Sequence, residues 1–222
     1  MIRLENLSKS FILKGQRKVV ADNISVTFPT GVSVALLGRN GVGKSTLLSM
    51  IAGTLNPDYG RIISTGTISW PVGFAGSFHR DLTGAQNVRF IARVYGVDTA
   101  GLVEFVEDFA ELEKHFHLPV RTYSSGMKSR LSFGVSMGIR FDTYLVDEVT
   151  SVGDAGFKKK SSITFNARMQ HSGAIVVTHA MSMVRQMCTA GAVLERGRLD
   201  YYDDVEAAIA HHEENSDGGP GL

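Results

Sequence analysis

The pattern of apolar and polar positions predicts a chain in which strands alternate with helices. Short apolar or alternating runs bounded by turn residues predict strands over residues 2–7, 19–20, 24–28 and 32–37. The runs over 61–64 and 67–70 are predicted to form a β pair. Further apolar runs over 143–146 and 174–177 flank a helical pattern over 157–170, an order that implies a parallel sheet with a right-handed crossover.

In the middle of the chain, the apolar residues recur at the spacing of a helix instead of that of a strand. Apolar residues recur at helical spacing over 88–95 and again over 103–112, so residues 82–140 are predicted to form a mostly helical insertion. After the last parallel strand, the pattern predicts a hairpin over 192–202 and a short helix over 205–210. We expect one domain over 1–213 and a disordered tail over 214–222, because the tail is polar and rich in glycine.

Composition narrows the class of protein. The chain has 222 residues, 43% of them hydrophobic, and 23 basic against 22 acidic residues, so no broad positive field would recruit nucleic acid. No apolar run approaches the roughly 18 to 20 residues needed to cross a bilayer. Cys188 is the only cysteine, which excludes an internal disulfide and a cysteine-built metal site and predicts that it acts as a small apolar residue.

A glycine-rich turn follows the strand run 32–37 and precedes an apolar helical segment. It contains G-R-N-G-V-G-K-S-T at 38–46, which matches G-x-x-x-x-G-K-[ST] in the strand–turn–helix context of a phosphate-binding loop. Glycines allow the backbone N–H groups to turn inward around an anion, the lysine adds a point charge, and the Ser45 hydroxyl can bind Mg²⁺. The nucleotide-binding residues predicted here are Gly38, Asn40, Gly41, Gly43, Lys44, Ser45 and Thr46.

Two later predicted strands are followed by residues whose side chains could bind Mg²⁺, activate water or contact a phosphate. Asp147 and Glu148 follow the run 143–146, and His179 follows the run 174–177. Ligands gather at the carboxyl ends of parallel strands, so the acidic pair should lie beside the phosphate loop. Asp147 could then hold Mg²⁺ and Glu148 could activate water. A lone histidine is usually structural, but the position of His179 favours contact with a terminal phosphate.

Two other features allow more than one interpretation. Phe11 falls in the first predicted loop, where it is either a core aromatic or a surface on which a base stacks. Ser124, Ser125 and Gly126 begin a predicted helix, so they form either a simple N-cap or a second anion site built from the same N–H groups.

The order of these features resembles the ATP-binding subunit of ABC transporters over nearly the whole chain. It runs from the phosphate loop through the helical insertion to Y-S-S-G-M at 123–127, L-V-D-E at 145–148 and T-H at 178–179. The resemblance implies a P-loop NTPase fold: a three-layer α/β/α core with an antiparallel β subdomain and a helical insertion. Ser124–Gly126 is similar to the signature L-S-G-G-Q, which covers the nucleotide of a second copy. Glu148 matches the catalytic glutamate, His179 the switch histidine, and Phe11 the adenine-stacking aromatic.

Within that family, Y-S-S-G-M together with V-G-D-A-G-F at 152–157 resembles the polysaccharide exporter branch, which handles capsule, O-antigen and teichoic acid. The short length favours the capsular polysaccharide exporters. One departure concerns the family's Q-loop glutamine, because residues 74–81 contain none and Gln86 lies after the L-T motif at 82–83. Ser77, His79, backbone groups or water would have to replace it.

The resemblance implies a homodimeric ATPase that binds ATP and Mg²⁺ at the cytoplasmic face of the bacterial inner membrane. It would drive a membrane-spanning permease, through which the polysaccharide is mainly contacted, and would bind no nucleic acid. The alternatives are a non-transport ABC ATPase that acts as a mechanical switch, and an O-antigen or teichoic acid exporter. A P-loop kinase would leave Y-S-S-G-M unexplained.

Overall fold

The computed structural model describes residues 1–73, 76, 78–147 and 154–217. The chain divides into two compact units. The first comprises Met1–Pro71, Phe141–Glu148 and His171–Leu222, and the second comprises Val72–Arg140 and Val149–Gln170.

A three-stranded antiparallel sheet opens the first unit, with strands in the order β2-β1-β4. Strands β1 (Ile2–Leu13) and β2 (Gln16–Phe28) form a hairpin whose turn, Lys14 and Gly15, has φ values of 50° and 80°. Two positive φ values are typical of the type I′ turn, whose twist matches the twist of a hairpin. Phe11 therefore lies in β1, opposite Lys18, and its predicted place in a loop is wrong.

The predicted β pair after the first helix is also wrong. Strand β4 (Tyr59–Ser64) pairs with β1, whereas β5 (Ile68–Pro71) pairs with β6 (Thr143–Asp147) in another sheet. Asp142 fixes this change of partner. Its carboxylate accepts hydrogen bonds from the Thr67 N–H at 2.7 Å and from the Thr67 hydroxyl at 2.8 Å, which holds the beginnings of β5 and β6 together.

The second sheet has six strands in the order β5-β6-β7-β3-β8-β9. Its remaining members are β3 (Ser33–Leu37), β7 (Gly173–Val177), β8 (Ala190–Glu195) and β9 (Arg198–Tyr202). All neighbours are parallel except β8 and β9, which form the predicted hairpin. The predicted α/β class with a parallel sheet is confirmed.

Helices cover both faces of this sheet, because side chains alternate along each strand. Val34 and Leu36 face a core that includes α1 (Lys44–Ile51) and the antiparallel sheet. The opposite face packs against α7 (Val205–Asp217), and a Cβ on Gly191 would overlap with Ala208. Helix α7 is longer than predicted, so residues 214–217 are helical although they were expected in a disordered tail. Residues 218–222 lie outside the described residues.

The second unit contains helices α2 (Gly84–Val94), α3 (Thr99–Ala110), α4 (Ser125–Gly138) and α5 (Ala155–Met169). Phe109 stacks on Phe133 and meets Phe157 edge-on, which joins α3, α4 and α5. Gly138 lets α3 approach α4 closely, because a Cβ there would overlap with Leu102.

A short helix, α6 (Met181–Met187), completes the first unit. Within the described ranges no helix is long and apolar enough to span a bilayer.

Candidate functional site

Strand order brings three sequence-predicted features to one edge of the six-stranded sheet. The phosphate loop follows β3, Asp147 ends β6, and His179 comes two residues after β7, which lies between those two strands. Asp147 is paired with Val177, the last residue of β7. The carboxyl ends of β6, β7 and β3 therefore present the acid, the histidine and the loop side by side.

The phosphate loop has the backbone that only glycine adopts readily. Gly38, Gly41 and Gly43 have φ values of 147°, 76° and 123°. Packing adds a second constraint at two of them. A Cβ on Gly38 would lie 2.5 Å from the Leu194 carbonyl oxygen, and one on Gly43 would overlap with Val20.

The lysine of the loop is buried, with a relative exposure of 9%. Its amine donates hydrogen bonds to the Gly38 carbonyl at 2.5 Å and to the Arg39 carbonyl at 3.2 Å. Lys44 thus binds the backbone of its own loop, and a nucleotide that used this charge would have to exchange those carbonyls for phosphate oxygens. Asn40 is exposed, and Thr46 is half-buried in the first turn of α1.

Two side chains with oxygen atoms that can bind a metal ion lie at this edge of the six-stranded sheet. Ser45 is exposed in the first turn of α1, and Asp147 is half-buried at the end of β6. Mg²⁺ prefers hard oxygen ligands, keeps several waters and takes few ligands from protein. A hydroxyl and a carboxylate therefore fit an ion that also binds the phosphates of a nucleotide.

Phe11 is half-buried, and its ring has a cation on its surface. The amine of Lys9 lies 5.4 Å from the ring centroid, and Lys9 is itself paired with Asp58 at 2.8 Å. Opposite Phe11 in the hairpin, Lys18 donates a hydrogen bond to the Gly41 carbonyl at 2.5 Å. Sequence reasoning missed Lys18, because only the β1–β2 register places it next to both the aromatic and the loop.

Ser124, Ser125 and Gly126 are exposed at the beginning of α4. The Ser124 hydroxyl accepts a hydrogen bond from the Met127 N–H at 3.2 Å, which is the geometry of an N-cap. Tyr123 before them is buried, and its hydroxyl donates to the His115 carbonyl at 2.6 Å. Burial raises the pKa of that hydroxyl above its usual value.

Glu148, the predicted catalytic carboxylate, lies outside the described residues, as do 149–153. Asp154 caps α5 by accepting a hydrogen bond from the Phe157 N–H at 3.0 Å. Arg130 of α4 pairs with Asp154 at 2.7 Å and lies 4.5 Å from the centre of the Phe157 ring. The hydrogen bond from the Phe157 N–H is the main reason that the pKa of Asp154 is lowered.

Within residues 74–81, where a glutamine was expected, the backbone of His79 is held by the side chain of Asn87. The Asn87 side-chain oxygen accepts from the His79 N–H at 2.8 Å, and its amide donates back to the His79 carbonyl at 3.1 Å. Gln86 is engaged elsewhere, because it forms a reciprocal capping box with Thr83 at the start of α2. Ser77 lies outside the described residues.

The last turns of α7 also reach the phosphate loop. His212 and Asn215 line a cavity of about 170 Å³ together with Gly38, Arg39 and Val42 of the loop and residues 193–196. Burial, and next the charge of Lys44, lower the pKa of His212. The sequence H-H-E-E-N has the composition of a solvated helix end, so it gave no signal of this contact.

Comparison with known proteins agrees with this geometry. The family model described as ABC transporter matches residues 21–151. The polysialic acid transport ATP-binding protein KpsT of Escherichia coli is 48% identical over 212 residues, which cover 94% of this chain and 95% of that protein. The capsule polysaccharide export ATP-binding protein CtrD of Neisseria meningitidis serogroup B is 40% identical, with 96% and 98% covered.

A solved structure supports the same fold. The ATP-binding cassette MJ0796, in a dimeric post-hydrolysis state bound to ADP and Pi, matches with a TM-score of 0.75 at 19% identity, covering 92% of this chain and 99% of that chain. The family model matches more than half of the chain, and the two relatives align with nearly all of it. The chain therefore belongs to the ABC transporter family.

Proposed function

We propose that the chain is the ATP-hydrolysing subunit of an exporter of capsular, lipid-linked polysaccharide. The observation that carries the ATPase part is the meeting of the phosphate loop, Asp147 and His179 at the ends of three neighbouring strands. Lys44 would bind the outer phosphates, while Ser45 and Asp147 would hold Mg²⁺, which neutralises phosphate charge when bound. Glu148 would orient the attacking water, and His179 would contact the terminal phosphate.

The nucleotide would be covered from the other side by a second copy of the chain. Ser124 and Gly126 lie at an exposed helix start, where N–H groups and the helix dipole favour an anion. One copy would hold ATP in its loop, and the exposed turn of the partner would close over it. Closure would then depend on the terminal phosphate, because a ligand shifts an equilibrium only through its differential affinity for the two states.

The proposed cargo follows from the relatives. The proteins that resemble this chain at 40–48% identity over nearly their whole length are named for polysialic acid transport or capsule polysaccharide export. The O-antigen and teichoic acid exporters match at 34% identity and are the more distant alternative. The subunit would work at the cytoplasmic face of the inner membrane, bound to a membrane-spanning permease that carries the polymer.

We place the permease contact in the groove between α2 and α3, which has a volume of about 720 Å³. Arg89 and Arg93 lie on its α2 wall, Glu104 lies on its α3 wall, and Val103 provides apolar surface. An amphipathic helix with an apolar ridge and charges along both flanks would complement this lining. A cytoplasmic helix of the permease is the occupant that this arrangement favours.

The export function can be tested by replacement in cells. An Escherichia coli strain lacking KpsT would receive this chain or its Lys44→Ala variant, and surface polysialic acid would be measured with an antibody. We expect surface polymer with the first and none with the second. Polymer retained inside cells that contain an active ATPase would contradict the proposed cargo.

The groove can be tested separately by co-purification with the permease. Val103→Asp should abolish co-purification and leave the ATPase rate of the isolated subunit within about twofold, because the phosphate loop belongs to the other unit. Ile163→Asp is the matched control, since Ile163 is 61% exposed on α5 outside the groove. Equal co-purification of both variants would contradict this docking site.

A further inference from the structure

The end of α7 lines a cavity beside the phosphate loop, and the proposed mechanism does not use these residues. Ala208, His212 and Asn215 follow one another at helical spacing and lie on the same face of the helix. Ala208 is fully buried against Gly191 of β8, and Asn215 donates a hydrogen bond to the Glu195 carboxylate at 2.7 Å. His212 lies between these two fixed points.

Both ends of α7 are anchored, so its last turns have a defined position. At the beginning, the Val205 N–H donates to the Thr189 carbonyl at 3.1 Å, and Glu206 pairs with Arg185 at 2.9 Å. At the far end, the bond from Asn215 to Glu195 ties the helix to the strand that lies beside β3. The wall that His212 presents is therefore held by β8.

The part of the loop that faces this wall is the part that holds the lysine. Gly38 and Arg39 line the cavity with His212, and their carbonyls accept the two hydrogen bonds from Lys44. The Arg39 carbonyl also accepts a hydrogen bond from the Val42 N–H at 3.2 Å, whereas Gly38 is buried. When Lys44 turns to a phosphate, the Gly38 carbonyl therefore needs another donor, because a buried polar group left unpaired is costly. The side chains of His212 and Asn215 both carry N–H groups, and both line the same cavity.

We infer that His212 and Asn215 are positioning residues for nucleotide binding, which support the Gly38–Arg39 backbone when Lys44 leaves it for the outer phosphates. The inference rests on the proposed use of Lys44. It predicts that α7 contributes to the affinity for ATP through the loop, without contact between His212 and the reacting atoms.

The electrostatics agree with this role. Burial is the main cause of the lowered pKa of His212 and the charge of Lys44 is the next, whereas Glu213 acts in the opposite direction and His179 and His211 add smaller effects. His212 therefore lies within the electrostatic reach of both groups that the proposed mechanism places on the phosphates. Removing the ring would change the surroundings of the lysine as well as the shape of the wall.

The test compares nucleotide affinity with stability in the full-length chain. The dissociation constants of ATP and ADP are measured by calorimetry for His212→Ala, Asn215→Ala and the conservative His212→Gln, and the melting temperature is measured without nucleotide. We expect His212→Ala to weaken ATP binding by roughly 5- to 20-fold, the range that loss of a buried hydrogen bond produces. The KM for ATP should rise more than kcat falls, and His212→Gln should restore most of the affinity.

Glu214→Ala is the matched control, because Glu214 is exposed in the same turns of α7. Its ATP affinity and melting temperature should equal those of the wild type. An affinity within twofold of wild type in both His212→Ala and Asn215→Ala would overturn the inference. A lowered melting temperature in His212→Ala would also overturn it if His212→Gln restored neither the melting temperature nor the ATP affinity. A wild-type chain that binds no ATP would instead contradict the proposed ATPase, and this inference with it.

Discussion

Gly43 occupies a position where backbone conformation and packing both exclude a side chain. Its φ of 123° disfavours other residues, and a Cβ would overlap with the Val20 side chain. Val20 is itself buried in β2, so it cannot move away without disturbing the core. The antiparallel sheet thereby fixes the turn from which α1 begins.

The first prediction compares two glycines. Gly43→Ala should lower the free energy of unfolding by roughly 2–4 kcal/mol, because backbone strain and overpacking add. Gly53→Ala should lower it by about 1 kcal/mol, since Gly53 has a φ of 72° but open space around its Cβ position. Urea denaturation of both variants measures the difference, and equal losses would show that the contact with Val20 has no effect.

Cys188, which was predicted to act as a small apolar residue, is buried, and burial raises the pKa of its thiol to about 12. We therefore expect the folded chain to resist iodoacetamide at pH 8 and the urea-unfolded chain to react within minutes, because the thiolate is the reactive form. The unfolded thiol ionises near pH 8.5, so the contribution of Cys188 to stability is complete below that pH. It should be lost as the pH rises toward 12. Rapid labelling of the folded chain would contradict its burial.

Among the elements, α4 and α5 are joined by Arg168, which donates a hydrogen bond to the Met137 carbonyl at 2.8 Å, and by Arg130, which has several partners. Arg130 pairs with Asp154 and Glu111 and stacks on the Phe157 ring, with only 19% of its side chain exposed. Asp154 and Phe157 belong to the V-G-D-A-G-F string that directly follows the L-V-D-E motif. Arg130 therefore connects the helix that begins with Ser124 to this string.

Arg130→Ala should lower kcat for ATP hydrolysis about tenfold or more while the dissociation constant of ATP stays within twofold, because the phosphate loop belongs to the other unit. Lys160→Ala is the control, because Lys160 also pairs with Glu111 and lies 5.2 Å from the Phe109 ring centroid. A similar fall in kcat for both variants would indicate general loosening of the helices.

Contiguous elements were predictable from sequence, and elements that depend on distant partners were not. The phosphate loop, the cap at Ser124 and the β8–β9 hairpin are each encoded within a few neighbouring residues. The β4–β5 prediction failed because β4 pairs with β1 and β5 with β6, far away in the chain. Residues 214–217 were predicted to belong to a disordered tail, because the hydrogen bond from Asn215 to Glu195 that holds the end of α7 leaves no local pattern.

For the whole molecule, the central prediction is nucleotide-dependent pairing of two chains. Glu148→Gln should bind ATP normally and slow its hydrolysis by about 10²- to 10⁴-fold, which is the usual contribution of a positioned general base. ATP should then hold two copies together, and light scattering should report a mass near twice the 24.1 kDa of one chain. A single copy at saturating ATP would contradict the homodimer, and an unchanged rate would remove Glu148 from catalysis.

The position of β3 in the six-stranded sheet has a consequence for synthesis on the ribosome. Ser33 pairs with Ala174, and Val34 pairs with Ala190, so both neighbours of this early strand are translated near the end of the chain. A nascent chain that stops before them keeps an apolar strand with two open edges, which is a template for aggregation. Contacts between such distant residues also slow folding. We therefore expect the nascent chain to depend on chaperones until the last third of the protein has left the ribosome.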